Sequence, residues 1–117
     1  MIEPGVIVMV RFPNADLLTG KLRPALVVAI APEPDFDILL ALITSRLYQV
    51  VSGFDEVIRS EDPDFVTSRL KVPSVVRLSR LVSVSPDVPE ARLGVISRAR
   101  LERIRHRIAS WIRGASE

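Results

Sequence analysis

The stretch PALVVAIAPEPDFDILLALIT, Pro24–Thr44, decides the fold. It holds two apolar runs, Pro24–Ala31 and Asp37–Thr44, separated by the breaker Pro32-Glu33-Pro34. Runs this short, bounded by turn residues, suit strands buried on both faces better than helices. Upstream, Val6–Phe12 is another such run, opened by Pro4-Gly5 and closed by Pro13-Asn14. Downstream, residues 47–51 fit a helical turn or a strand, residues 56–59 a short edge strand, and Asp62-Pro63-Asp64 a loop. Ser74–Leu78 predicts a further strand, and Leu81–Val84 another after a short turn. The period then changes. Ile96, Leu101, Ile104, Ile108, Trp111 and Ile112 recur at helical spacing, with Ser97 placed to cap and Gly114 to end a helix over 98–113. Five or six short strands followed by one helix, without strand–helix alternation, predict a mainly β fold. The expected form is an antiparallel barrel or curled sheet carrying a C-terminal amphipathic helix.

The chain has 117 residues, 48% of them hydrophobic and 26% charged, enough to fill the core of one domain over 1–117. It has no cysteine, which removes disulfide scaffolds, zinc–thiolate sites and thiol nucleophiles. Its single histidine, His106, leaves no place for a two-histidine ribonuclease mechanism or an HExxH metal site. No metal and no cofactor are therefore expected. Apolar runs are far shorter than a membrane span, and the start MIEPGVIVMVRF lacks the pattern of a signal peptide. A cytoplasmic protein without membrane contact is expected.

Charge is unevenly placed. Residues 33–64 carry a net −6 and residues 92–113 a net +6, and 14 of the 16 basic residues are arginine. Arginine is the better bidentate phosphate ligand, which suits nucleic acid. A solvated helix face explains the same composition, so charge alone decides nothing. The acids between Asp55 and Asp64 lie in a turn-rich stretch and are expected to be solvated at the surface. His106, off the apolar stripe, is expected to be exposed.

No GxSxG, GxxxxGK[ST] or GxGxxG occurs, so hydrolase elbows and nucleotide loops find no support. What remains is a polar set that punctuates the apolar runs. Lys21 and Arg23 precede the run from Pro24, and Thr44, Ser45 and Arg46 end the run from Asp37. In an antiparallel meander the end of the third strand lies near the start of the second, so Arg23 and Thr44 are expected to approach one another. A guanidinium beside a hydroxyl suits a phosphoryl group, holding its nonbridging oxygens and offsetting charge that builds at phosphorus. Surface cross-strand pairing accounts for the same two residues.

The order VIVMVRFP, polar loop, KLRPALVV, LLALITSR, VPSVVRLSRL, LGVISRARLERI closely resembles the MazF/PemK family of toxin–antitoxin growth inhibitors, over about residues 3–112. Its most specific pieces are Arg23-Pro24-Ala25-Leu26-Val27 and Pro73-Ser74-Val75-Val76-Arg77-Leu78. The resemblance implies an SH3-like antiparallel barrel (CcdB/PemK-like) that forms a homodimer and cleaves single-stranded RNA without metal. In that family the ribose 2′-hydroxyl attacks the adjacent phosphorus, leaving a cyclic phosphate and a 5′-hydroxyl. Arg23 then takes the place of the catalytic arginine. Because arginine stays protonated, it suits charge stabilisation better than base catalysis. Thr44 takes the place of the threonine that donates to the scissile phosphate.

By the same resemblance, Ser79 and Arg80 fall where such toxins help read bases. The segment Asn14–Lys21, with Asn14, Thr19 and Lys21, falls where they cover the RNA groove, beside Ser45 and Arg46. Leu17 and Leu18 stand in that loop, either as ordinary loop packing or as an apolar contact for the antitoxin. The implied antitoxin is a small protein whose acidic, disordered tail folds along a basic groove. Family members often carry an acidic or amide residue where Ser79 and Arg80 stand, so base preference does not transfer. Two other readings remain open at this level. One is a non-enzymatic, CcdB-like gyrase poison acting through the C-terminal helix, although Trp111 on the apolar stripe is expected to pack in the core or a dimer. The other is a nucleic-acid-binding barrel whose helix arginines contact phosphates.

Overall fold

The computed structural model describes residues 2–11 and 21–114. Six strands form one sheet: β1 Val6–Arg11, β2 Leu22–Ile30, β3 Ile38–Thr44, β4 Glu56–Ile58, β5 Ser74–Val84 and β6 Ala91–Val95. Their order is β4-β5-β3-β2-β1-β6, and every neighbouring pair is antiparallel. A single turn of helix, α1 (Phe65–Ser68), and a long C-terminal helix, α2 (Arg98–Arg113), complete the fold. Among the described residues no helix is long and apolar enough to cross a membrane.

The apolar runs become β1, β2 and β3 because each buries both of its faces. On one face Ile7, Leu26, Val28, Ala41 and Ile43 pack with Leu101, Ile104 and Ile108 of α2. On the other, Val6, Val8, Val10, Ala25, Val27, Ile38 and Leu40 form a second cluster, closed by Ile2, Val82 and Val84 as the sheet curls. At about 25 cal/mol per Å² of apolar surface removed from water, these two clusters are the main favourable contribution to the fold.

The fourth and fifth strands expected from the sequence are one strand. β5 runs unbroken from Ser74 to Val84, with a wide bulge where a turn was expected. Leu42 pairs with Arg77 while the adjacent Ala41 pairs with Leu81, so Leu78, Ser79 and Arg80 have no partner on β3. β6 was not legible from its own sequence. Its residues, ARLGV, have no clear alternation, and pairing with the β1 edge makes them a strand. Gly94 of β6 also has a packing role. A Cβ at this position would run into the carbonyl of Ser68, so only glycine lets α1 lie against the sheet.

α2 starts and stops where its caps predict. The Ser97 hydroxyl accepts the Arg100 N–H at 3.1 Å, and Gly114 closes the helix at φ +74°. The last turn of the stripe departs from expectation. Trp111 is 49% exposed and Ile112 is 71% exposed. The indole leaves the core and meets Phe54 edge to face, with centroids 5.4 Å apart and planes at 77°.

The acidic stretch is the largest correction. Asp55, Glu56 and Asp64, expected at the surface, are 5%, 6% and 4% exposed. They are buried because α2 brings arginines onto them. Arg100 uses all five of its N–H donors: Nε to Asp64 Oδ2 (2.8 Å), Nη2 to Asp64 Oδ1 and to Asp62 Oδ2 (both 2.9 Å), and Nη1 to Glu56 Oε1 (3.1 Å) and to the Val57 carbonyl (2.9 Å). Arg103 and Arg107 also reach Glu56, at 2.7 and 2.9 Å. Burial alone would push the Asp64 carboxyl up. The Arg100 hydrogen bonds, the Ser97 N–H and the Arg100 charge outweigh burial and lower its pKa from 3.8 to about 2. Burial likewise opposes the charge on Arg100, and the bonds to Asp64 and Asp62 leave its pKa raised. Arg100, Arg103 and Arg107 therefore clamp α2 to β4 and the α1 loop, and the helix is not a uniformly free basic face.

Candidate active site

Of the residues singled out from the sequence, Asn14, Leu17, Leu18 and Thr19 lie outside the described residues. Of the others, Lys21, Arg23, Thr44, Ser45 and Arg46 lie at one end of the β2–β3 ladder, whereas Ser79 and Arg80 lie midway along β5. Antiparallel pairing of β2 with β3 runs from Ile30–Ile38 to Ala25–Leu42. Two residues further along each strand come Arg23 and Thr44. Alternation from Val27 and Ala25 gives Arg23 the same face as alternation from Leu40 gives Thr44. Both side chains are partly buried, at the rim of the second core cluster. Lys21 is exposed immediately before β2, and Ser45 and Arg46 are exposed immediately after β3. Pro24 pairs with Met9 of β1 and sits past the last β2 residue paired with β3, so the ladder to β3 needs no N–H from it.

The Thr44 hydroxyl is held. Its Oγ1 accepts the Arg46 N–H at 3.1 Å, a local turn bond that fixes the side chain while the hydroxyl hydrogen is left to donate elsewhere. Next to it, Thr44 pairs with Val75 and Leu42 with Arg77 of β5. Ser79 and Arg80 follow in the bulge, both exposed. The strand pairing thus sets β3 between β2 and β5, with Ser79 and Arg80 in the β5 bulge beside Ala41 and Leu42 rather than at the end that carries Arg23 and Thr44.

Sequence reasoning missed the support beneath these residues. The Asp55 side chain is fully buried and ties three segments together. Its Oδ1 accepts the N–H of Leu78, the first residue of the β5 bulge, at 2.9 Å. Its Oδ2 accepts the Val51 N–H at 2.9 Å and faces Arg77 Nε at 3.3 Å, off the hydrogen-bond line. Arg77 in turn donates Nη1 to Gln49 Oε1 at 2.9 Å. Gln49 closes a single 3₁₀ turn, Leu47–Gln49, which begins three residues after Thr44. A signal for this was present in the sequence. An acid beside Phe54 and followed by Glu56-Val57-Ile58 sits in a short apolar run, where burial demands a partner.

A groove of about 600 Å³ lies along the clamp, between residues such as Gly53, Arg59, Pro63 and Ala99. None of Lys21, Arg23, Thr44, Ser45, Arg46, Ser79 and Arg80 lines it. Its carboxylates are already engaged by arginines. His106, on the outer face of α2, is exposed as expected.

No curated protein matches the chain. Among solved structures it is similar to the Mycobacterium tuberculosis toxin MazF-mt6, with 15% identity and a TM-score of 0.64. The match covers 96% of this chain and 99% of that one. At this identity the likeness concerns the fold, a MazF-like curled antiparallel sheet with a C-terminal helix. The family described as PemK-like, MazF-like toxins of type II toxin–antitoxin systems matches residues 3–112. Nearly the whole chain is matched, with the six strands, the arginine–proline start of β2 and α2 up to Ile112 inside the span. The chain belongs to this family of type II toxins.

Proposed function

We propose that this toxin is an endoribonuclease that cleaves single-stranded RNA without a metal ion, acting as one MazF/PemK-like domain and as a homodimer in the cytoplasm. The observation that carries the reading is the placement of Arg23 and Thr44 at one end of the β2–β3 ladder, on one face. In the proposed reaction the 2′-hydroxyl oxygen bonds to phosphorus and the bond from phosphorus to the 5′-oxygen breaks. The products are a 2′,3′-cyclic phosphate and a 5′-hydroxyl. Negative charge grows on the nonbridging oxygens as the fifth bond forms. Arg23, permanently charged, offsets it, and the Thr44 hydroxyl donates to one of those oxygens. Arg23 is not the base, since a guanidinium is already protonated and offers no acceptor for the 2′-hydroxyl proton. Lys21, Ser45, Arg46, Ser79 and Arg80 grip the flanking nucleotides, joined by Asn14 and Thr19. An antitoxin with an acidic tail, contacting Leu17 and Leu18, would occupy the same basic end and block it.

The test is incubation of a long transcript with purified protein in EDTA, with mapping of the new ends. Cleavage to cyclic-phosphate and 5′-hydroxyl ends is expected. Arg23→Ala should lower the rate by about 10²- to 10³-fold, the loss typical of one transition-state donor. Circular dichroism of the variant should show the wild-type fold. Cleavage by Arg23→Ala at the wild-type rate would remove Arg23 from the mechanism. Binding to gyrase without any RNA cleavage would favour the CcdB-like reading instead.

A further inference from the structure

Tyr48 is the most exposed aromatic side chain among the described residues, with 79% of its surface open to solvent. A tyrosine ring favours contact with another surface, because its large apolar faces are poorly served by water. Here the ring is presented by a segment that is itself fixed. The turn Leu47–Gln49 is closed by Gln49 N–H to the Arg46 carbonyl (3.0 Å) and Val50 N–H to the Leu47 carbonyl (3.1 Å). Gln49 is bonded to Arg77, and Val51 to the buried Asp55. The same Asp55 holds Leu78 at the start of the β5 bulge. One buried carboxylate therefore sets both the turn that carries Tyr48 and the bulge that carries Ser79 and Arg80.

Position and charge identify the ligand. Tyr48 follows Thr44 by four residues, at most about 14 Å of chain, so ring and hydroxyl address neighbouring parts of one bound strand. Residues 38–54 and β5 contain no acid and carry the exposed Arg46 and Arg80, while the neighbouring Asp55 is fully buried and taken up by Arg77 and backbone N–H groups. An exposed ring on a segment with exposed cations and no exposed carboxylate suits single-stranded nucleic acid held without regard to base identity. We propose that Tyr48 is a base-stacking residue of this protein. Its ring packs on the face of a nucleobase next to the scissile phosphate, on a platform whose position Asp55 and Arg77 set. This inference rests on the endoribonuclease reading. It adds a ligand contact that neither Arg23 nor Thr44 supplies.

The experiment uses the full chain and an RNA oligonucleotide spanning a cut mapped on the long transcript. The nucleotide at the cut is 2′-deoxy, to stop cleavage, and 2-aminopurine replaces each flanking base in turn. With wild-type protein, 2-aminopurine fluorescence should be quenched on binding at one flanking position. Tyr48→Ala should abolish that quenching and weaken binding roughly 5- to 150-fold, the range for losing one stacked base. Tyr48→Phe should retain both. With the cleavable oligonucleotide, Tyr48→Ala should raise KM by more than it lowers kcat. The inference is overturned if wild type cleaves while Tyr48→Ala binds, quenches and cleaves like it, or if Tyr48→Phe behaves as Tyr48→Ala does. It is equally overturned if Tyr48→Ala changes the oligomeric state with no loss of quenching per bound strand, which would make the ring a protein contact. Failure of the wild-type protein to cleave any RNA would instead defeat the endoribonuclease reading itself.

Discussion

At the scale of single residues, the same chemical group does different work according to what surrounds it. The Thr44 hydroxyl accepts one backbone N–H, a bond that does not use its own hydrogen. Thr44→Val, nearly the same shape, should leave the unfolding free energy within about 1 kcal/mol of wild type, the usual scale of one hydrogen bond. It should slow RNA cleavage by about 10²-fold or more, as loss of a transition-state donor does. Thr44→Ser should keep most of the activity, and kinetics on one oligonucleotide separate the two outcomes. Asp64 is the other telling residue. Its folded pKa, about 2, lies below the ordinary 3.8, so it binds protons less readily when folded than when unfolded. The stability this gives is present above pH 4 and is lost as pH falls from about 4 toward 2. It amounts to at most about 2 kcal/mol. Thermal melts between pH 2 and 6 should show a steeper acid decline for wild type than for Asp64→Asn, which has no carboxyl to titrate there.

At the scale of elements, packing overrules local pattern in two places. β5 stays one strand through Leu78–Arg80 because β3 continues pairing on both sides of the bulge and Asp55 holds the Leu78 N–H within it. The bulge then projects Ser79 and Arg80 outward, as bulges beside functional sites commonly do. β6 is anchored by β1 and by the close approach of Ser68 to Gly94. Gly94→Ala must move α1 or β6, because the obstacle is backbone and cannot rotate away. The expected cost is about 1–3 kcal/mol or more, read as a lowered melting temperature, with any RNA cleavage retained at low temperature.

At the scale of the whole molecule, part of the opposed charge of the two segments is spent inside the protein. Three of the eight acids of residues 33–64 (Glu56, Asp62 and Asp64) meet three of the seven arginines of residues 92–113 (Arg100, Arg103 and Arg107) in the clamp. A strand of RNA held at the Arg23–Thr44 end should therefore depend on Arg46 and Arg80 rather than on the helix. Each of Arg46→Gln and Arg80→Gln should lower the slope of log affinity against log salt by about 0.7, the value for one single-strand phosphate contact. Arg103→Gln and Arg107→Gln should leave that slope unchanged while lowering stability. Binding titrations at several salt concentrations, with melting curves of the same variants, distinguish a strand-end site from a helix-face site.

Much of this protein was legible in its sequence, for local reasons. Alternation, breakers and caps act over a few residues, so β1, β2, β3 and α2 with its caps at Ser97 and Gly114 followed from the chain, within a residue or two at their ends. The antiparallel order of β2 and β3 also let Arg23 and Thr44 be set together in advance. Tertiary structure alone decided the fate of Asp55, Glu56 and Asp64. The cations and N–H groups that make their burial tolerable come from Arg77, Leu78 and Arg100, 22 to 44 residues away in sequence. Whether an acid is solvated or buried depends on what folding brings against it, and no local period carries that information. The sequence therefore specified strands and helix and set Arg23 and Thr44 at one end of two paired strands, while the packing of α2 on β4 and α1 turned what reads as a surface acidic run into a buried clamp.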